Sequence, residues 1–352
     1  MSALPIYNCH IHTLTARHVP DRFLPLWLRV IAGWRPALNA LLWVVRYVDP
    51  WDSRDLLERQ ARFLSIGSAE GQAEIFDRIR RQYPSGTRFV ILPMDMAFMG
   101  AGRVRADLDA QHAELLRLKA RYPDEVIAFC AVDPRRDGVV ERAKRWIAHD
   151  GFQGVKLYPN LGYYPHDPVL MPLYEFLEER GAPVLAHCSP GGVWSRDLSQ
   201  AEAAEFAHPR HYLPILEKFP RLRVCLAHFG GNEEWERHLN ITDEPDGADQ
   251  PWVQVIREMI QSGKYPGLYT DISYTIFAPR DRNRPFDYFD YLKVLLADPQ
   301  VREHVLYGSD YYMVARERMT EKEASIALRS RLGEDLYFQI AHHNPRRYLG
   351  LA

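Results

Sequence analysis

Four cysteines in 352 residues, Cys9, Cys130, Cys188 and Cys225, lie far apart and form no CxxC pair. That excludes a disulfide framework and points to a reducing compartment, with each thiol packed as a small hydrophobe in or beside a strand. A dominant charge is missing too: 44 Lys and Arg against 46 Asp and Glu give a formal net charge of −2, which leaves no basic footprint for nucleic acid. The N-terminus lacks a charged region followed by an apolar core, so no secretory signal is expected and the cytoplasm is the expected location. Repeats, low-complexity tracts and convincing linkers are absent. A phosphate-cradling turn is absent as well, because Met99-Gly-Ala-Gly-Arg103 lacks the GxGxxG spacing of a dinucleotide-binding fold.

What is present is an ordinary globular composition, 26% charged and 47% apolar, in a chain long enough for one large domain. The most apolar stretch, 23–48, is interrupted by Arg29, Arg35 and Arg46 and broken by Pro25 and Pro36. A membrane-spanning helix needs about 20 predominantly apolar residues, so two short helices are the better expectation. They form a helical insertion over 20–52, packed on the domain or in a subunit interface, and a homodimer would account for its apolar surface. A lid near the active site or a membrane-touching surface is the alternative.

Apolar runs predict eight short strands: Ala3–Tyr7, Arg88–Met94, Val126–Val132, Gly154–Tyr158, Pro183–His187, Arg223–His228, Gly267–Ile272 and His304–Tyr307. Helical patterns precede every strand after the first, among them Gly71–Tyr83, Leu108–Tyr122, Val139–His149, Leu170–Arg180, Tyr212–Phe219, Trp252–Gln261 and Phe286–Leu296, and two more, Glu321–Arg331 and Leu336–Tyr348, close the chain. Such alternation implies βαβ units and a parallel sheet, and eight units over this length favour an α/β (β/α)8 TIM barrel as one domain over 1–352.

Chemistry in that fold sits at the C-terminal ends of the strands. His10-Ile11-His12 follows the first apolar run, and alternate residues of an extended strand face one side, so the two imidazoles can share a metal ion. With 14 histidines in the chain such a pair is weak alone. It gains weight from Lys156 on strand four, His187 ending strand five, His228 ending strand six and Asp310 following strand eight. Asp95, Asp133 and Asp271 end strands two, three and seven. Tyr158, Asn160 and Trp194 lie just past strands four and five, and Arg280, Arg282 and Arg284 follow strand seven, where a guanidinium could fork onto a substrate carboxylate. His112, His149, His166, His208, His211, His238, His304, His342 and His343 fall on predicted helices or loops and read as solvated.

The segments NCHIHT, GVKLYP, VLAHCS, LAHFGG, LYGSDY and NPRRYLGL resemble the amidohydrolase superfamily, and in particular its amidohydrolase-related branch of metal-dependent hydrolases and decarboxylases. The resemblance spans nearly the whole chain, with 23–48 as its least familiar part. It implies that His10, His12, His187 and Asp310 bind a divalent metal, most often zinc, which activates water. It further implies that Asp310 moves the proton of that water and that His228 polarises the scissile carbonyl or acts as acid and base. In binuclear relatives a carboxylated Lys156 bridges two metals and His228 joins the second. One ion is favoured here, with an unmodified Lys156 orienting substrate or pairing with Asp133 as the alternative to carboxylation. The expected reaction is hydrolysis of an amide, lactone or ester bond in a small organic substrate. Non-oxidative decarboxylation of an aromatic or enol acid is the alternative, and a non-catalytic ligand-binding barrel the third reading. Trp194, Tyr158, Asn160 and Arg280 are the candidate substrate contacts.

Overall fold

In the computed structural model eight short parallel strands alternate with helices and stand in one sheet in chain order. They are β1 Tyr7–Ile11, β2 Arg88–Ile91, β3 Val126–Val132, β4 Gly154–Leu157, β5 Val184–Ala186, β6 Val224–Leu226, β7 Leu268–Asp271 and β8 Val305–Leu306. The ring closes between β8 and β1, where the Cys9 amide donates to the Tyr307 carbonyl at 2.8 Å and the Asp310 amide to the His10 carbonyl at 2.9 Å. This is the expected (β/α)8 TIM barrel. The structure describes residues 4–23, 62–240, 250–275, 287–317 and 319–351. The insertion expected over 20–52, from residue 24 onward, and Arg280, Arg282 and Arg284 lie outside the described residues.

Most strands are buried throughout, which is why they read as unbroken apolar runs. Their C-terminal ends are shorter than that reading, because the residues past the ladder turn away to form the site. Thus β2 stops at Ile91, two residues before Pro93, which has no N–H to give a neighbouring strand. Helix starts follow local chemistry. Asp107 accepts from Ala110 N at the head of Leu108–Arg121, and Ser199, Asp287 and Thr320 each open a helix with a reciprocal capping box. Such caps are each worth about 1 kcal/mol.

The first strand departs from expectation. Of the expected Ala3–Tyr7, Ala3 lies outside the described residues and residues 4–6 precede the sheet; β1 runs Tyr7–Ile11, so His10 is inside the strand rather than beyond it. Asn8 pairs with Phe89 and Ile11 with Ile91, which leaves one extra residue on β1, a bulge. A bulge reverses which residues face the barrel axis. Before it, Tyr7 and Cys9 pack in the barrel interior with Val90, Phe129, Leu185 and Tyr269. After it, Ile11 packs outward against the helices, and His10 and His12 turn to the ligand side. Gly154 serves the same interior, since a Cβ there would lie 2.5 Å from the Phe129 ring.

Two histidines expected to be solvated are not. His112 is buried against Trp146, and its Nε2 accepts from the Ala131 amide at 3.0 Å, so it pins a helix to β3. His342 is buried and reaches the Pro5 carbonyl through Nδ1 at 2.8 Å. Among the described residues, no helix is long and apolar enough to cross a membrane.

Candidate metal centre

His10, His12 and Asp310 offer ligand atoms that all lie within 4.8 Å of one another, and all three residues are buried. The tautomers follow from what each ring touches. His12 Nδ1 lies 2.7 Å from the Leu92 carbonyl, which can only accept, so Nδ1 carries the proton and Nε2 a lone pair. His10 Nδ1 lies 2.9 Å from the Asp271 carboxylate, and the same logic leaves its Nε2 unprotonated. These two lone pairs face each other at 3.3 Å, and Asp310 Oδ1 stands 3.2 Å from His12 Nε2 and 3.6 Å from His10 Nε2. That oxygen is buried without a hydrogen-bond partner. Three acceptors converging with no proton between them repel one another, and a divalent cation is what turns such a set into an attractive one.

Burial drives the imidazoles toward neutrality, taking His10 down to about 3 against the pull of Asp271, and lowering His187 and His228 as well. Asp310 is held below the ordinary carboxylate range: burial pushes it up, and contact with His12 and the fields of His10 and His228 outweigh that.

On the opposite side of the site, His228 Nδ1 lies 3.1 Å from the Ser273 carbonyl and His187 Nε2 lies 3.0 Å from the Gly191 carbonyl. Each of these nitrogens therefore carries a proton, and His228 Nε2 and His187 Nδ1 meet at 3.0 Å as two lone pairs. His187 thus faces His228 and stands outside the His10, His12 and Asp310 group. Ser273 ties the two sides together. Its hydroxyl donates to Asp271 and lies 3.0 Å from His10 Nδ1 and 2.9 Å from His228 Nδ1, so each of those N–H groups is shared between Ser273 Oγ and its other acceptor.

Lys156 is buried, and its Nζ has no hydrogen-bond partner. Burial brings it down to about 8, with Asp271 and Asp310 pulling it back up. Asp133, the carboxylate considered as its partner, is instead forked by Arg135, whose Nη2 comes within 2.5 Å. Asp95 is likewise taken by Arg136 at 2.7 Å.

The loop after β5 is fastened by two of the expected substrate contacts. Asn160 is buried and donates to the Ser189 carbonyl at 3.0 Å. Tyr158 stacks on His187 with ring centres 4.3 Å apart and accepts from the Val193 amide at 3.0 Å. Trp194 is half-buried on that loop.

The sequence reading named Asp271 only as a strand-end residue that could shape the pocket. It did not single out Ser273, Leu92, Asn8 or Glu321, whose parts depend on contacts across the barrel. Among the described residues four that are not glycine adopt left-handed backbone, and all follow strand ends, namely His228 (φ 67°), Phe229 (φ 43°), Tyr274 (φ 65°) and Asp310 (φ 64°). Each costs of order 1–2 kcal/mol, and such residues cluster where function requires them.

Known proteins of the same shape were found at low identity. An uncharacterized TIM-barrel protein from Bordetella bronchiseptica is 19% identical, with 99% of each chain covered and a TM-score of 0.56. A probable 2-pyrone-4,6-dicarboxylic acid hydrolase from Acinetobacter baumannii, with citric acid bound, is 14% identical over 99% of this chain and 100% of that one, with a TM-score of 0.56. A 5-carboxyvanillate decarboxylase from Novosphingobium aromaticivorans, complexed with manganese and 4-hydroxy-3-methoxy-5-nitrobenzoic acid, is 14% identical over 99% and 96%, with a TM-score of 0.54. At these identities the likeness is one of fold. The family model described as Amidohydrolase matches residues 9–351, and with the eight-stranded barrel and its converging histidines and aspartate already in place, the chain belongs to the amidohydrolase family.

Proposed function

We propose that the chain is a metal-dependent hydrolase that cleaves a C–N or C–O bond, as in an amide, lactone or ester, of a small organic substrate. The observation that carries this reading is the convergence of His10 Nε2, His12 Nε2 and Asp310 Oδ1 as three unprotonated acceptors within 3.6 Å. His10, His12 and Asp310 would hold one divalent ion, zinc being the expected metal, with His187, whose Nδ1 faces His228, completing the set. A bound ion would supply Lewis acidity, making a water acidic at neutral pH and polarising a substrate oxygen.

The remaining work falls to the protein. Asp310 accepts the proton of the attacking water and returns it to the leaving group. His228, neutral with its proton on Nδ1, presents a lone pair at Nε2, so it serves as a proton acceptor, and it can donate to a carbonyl only after taking up a proton. The Asp271 and Ser273 contacts keep both rings in the required tautomer. Trp194, Tyr158 and Asn160 shape the pocket wall through the loop after β5, and Arg280 is the proposed contact for an acidic substrate group.

Decarboxylation of an aromatic or enol carboxylic acid is the second reading, and Lys156 favours it. An ammonium buried without a hydrogen-bond partner is costly unless an anion reaches it, and a substrate carboxylate or phenolate would do so, whereas carboxylation of Lys156 would abolish the ammonium itself. A decarboxylase also stands among the proteins of like fold. Metal-replete protein tested on amides, lactones, esters and aromatic acids separates these readings. A new acid with an amine or alcohol is the expected product; carbon dioxide release would transfer the assignment to decarboxylation, and no turnover across the panel would leave a binding barrel.

A further inference from the structure

Beside the junction of β1 and β8 lies a set of polar side chains that takes no part in the ligand cluster: Asn8, Tyr83, Tyr307, Ser309 and Glu321, none more than 7% exposed. Asn8 stands at its centre. Its Oδ1 accepts from the Ser309 amide at 3.2 Å and the His10 amide at 3.3 Å. Its Nδ2 donates to Ser309 Oγ at 2.8 Å and Tyr83 OH at 3.1 Å, and reaches Glu321 Oε1 at 3.4 Å. Tyr83 OH in turn donates to Glu321 Oε1 at 2.6 Å and lies 2.5 Å from Tyr307 OH. One carboxamide therefore joins the backbone of the first histidine ligand to the residue just before Asp310, and one buried carboxyl anchors that carboxamide.

Such an arrangement is expensive if packing is its only purpose. Burying a carboxyl costs several kcal/mol unless it is well partnered, and here the hydroxyls of Ser309 and Tyr83 and the Asn8 amide only partly offset the burial of Glu321. What the network touches is the strained part of the site. Asp310 holds a left-handed backbone at φ 64°, and the tie through Ser309 and Asn8 is one of the contacts that over-determine it. Gly308 completes the approach, since a Cβ there would meet His10 Cβ at 2.8 Å.

We propose that Asn8 and Glu321 are positioning residues that hold the Asp310 carboxylate in register with His10 and His12, and thereby set the affinity of the site for its divalent cation. This rests on the metal-dependent reading given above. Outer partners of metal ligands typically change affinity by about 10–100-fold when removed.

The test uses the full chain as wild type, Asn8→Ala, Glu321→Ala and Glu321→Gln. For each, zinc and cobalt affinities are measured by chelator competition, the visible spectrum of the cobalt-loaded protein is recorded, and the melting temperature is taken without metal. The expected result is an apparent Kd raised about tenfold or more in Asn8→Ala and Glu321→Ala, with an altered cobalt spectrum. Glu321→Gln, which keeps the acceptor for Tyr83 and Asn8, restores both. Variants that melt earlier but retain wild-type Kd and spectrum would overturn the proposal, as would Glu321→Gln behaving like Glu321→Ala. Should Asn8→Ala fail to fold, the Glu321 pair decides by the same criteria. Wild-type protein that takes up no metal overturns the metal reading and this inference together; wild-type uptake with unchanged variants overturns the inference alone.

Discussion

The β1/β8 side of the site and the β5/β6 side are built from the same unit, a buried imidazole with one nitrogen tied to the protein, and they differ in what the other nitrogen meets. On the β1/β8 side His10 and His12 meet Asp310, a carboxylate. On the β5/β6 side His187 and His228 meet each other; Lys156 opposes protonation of both, as it does of His10, while Asp310 and Asp271 favour it at His228. A cation therefore meets a carboxylate directly on the first side, and on the second meets imidazoles that lie within the positive field of Lys156. Carboxylation of Lys156 would reverse the sign of that field. The difference teaches that the same buried imidazole unit offers a cation different company according to whether a carboxylate or a second imidazole faces it.

The largest test of this contrast is replacement of His10 and His12 together by Ala. Elemental analysis should show about one divalent ion per chain in wild type and none in the double variant, whereas His228→Ala should retain its ion. Asp310→Asn comes next. Turnover at saturating metal should fall by about 10²–10⁴-fold, because the amide cannot take up the proton of the attacking water.

Gly192→Ala probes the other side. Gly192 has φ 97°, and a Cβ there would lie 2.7 Å from Tyr158 OH and 2.9 Å from His187 Cε1, so the stacked pair must shift. Turnover is expected to drop by up to about 100-fold, with a fall in metal affinity if His187 serves as a ligand, and steady-state kinetics alongside chelator titration will show whether the two sides are separable.

The smallest effect on the site is one of stability. Burial pushes Glu321 up to about 7, from about 4.3 in the unfolded chain. A carboxyl raised in the folded state contributes fully below the unfolded value, and its contribution is lost as pH climbs through 7. Wild type should lose up to about 3 kcal/mol from this group across that window. Urea midpoints at pH 5 and pH 8 should therefore fall further apart in wild type than in Glu321→Gln.

The barrel was legible because its strands are buried on both faces, and an apolar run beside a helical period carries its own signal. The helix Trp252–Gln261 matches its expected span, with Val253 and Ile256 fully buried along its inner face. His10, His12, His187, His228 and Asp310 were legible because each stands where an apolar run ends. The bulge in β1 was not, since a register shift exists only relative to β2. Short helices at Gln200–Ala207, Asn232–Asn240 and Pro299–His304 were also passed over. The support of the site was hidden for a further reason: Asp271 meets His10 across 261 positions and Glu321 meets Asn8 across 313, and nothing in a strand-end aspartate or a helix-starting glutamate names so distant a partner.

Asp310 also occupies a backbone conformation that glycine enters freely and aspartate does not. Stability and turnover consequently pull in opposite directions at this one position. Asp310→Gly would relieve roughly 1 kcal/mol of backbone cost while deleting the carboxylate, so a screen for thermal tolerance would enrich an inert chain. Only selection for turnover keeps the less comfortable residue in place.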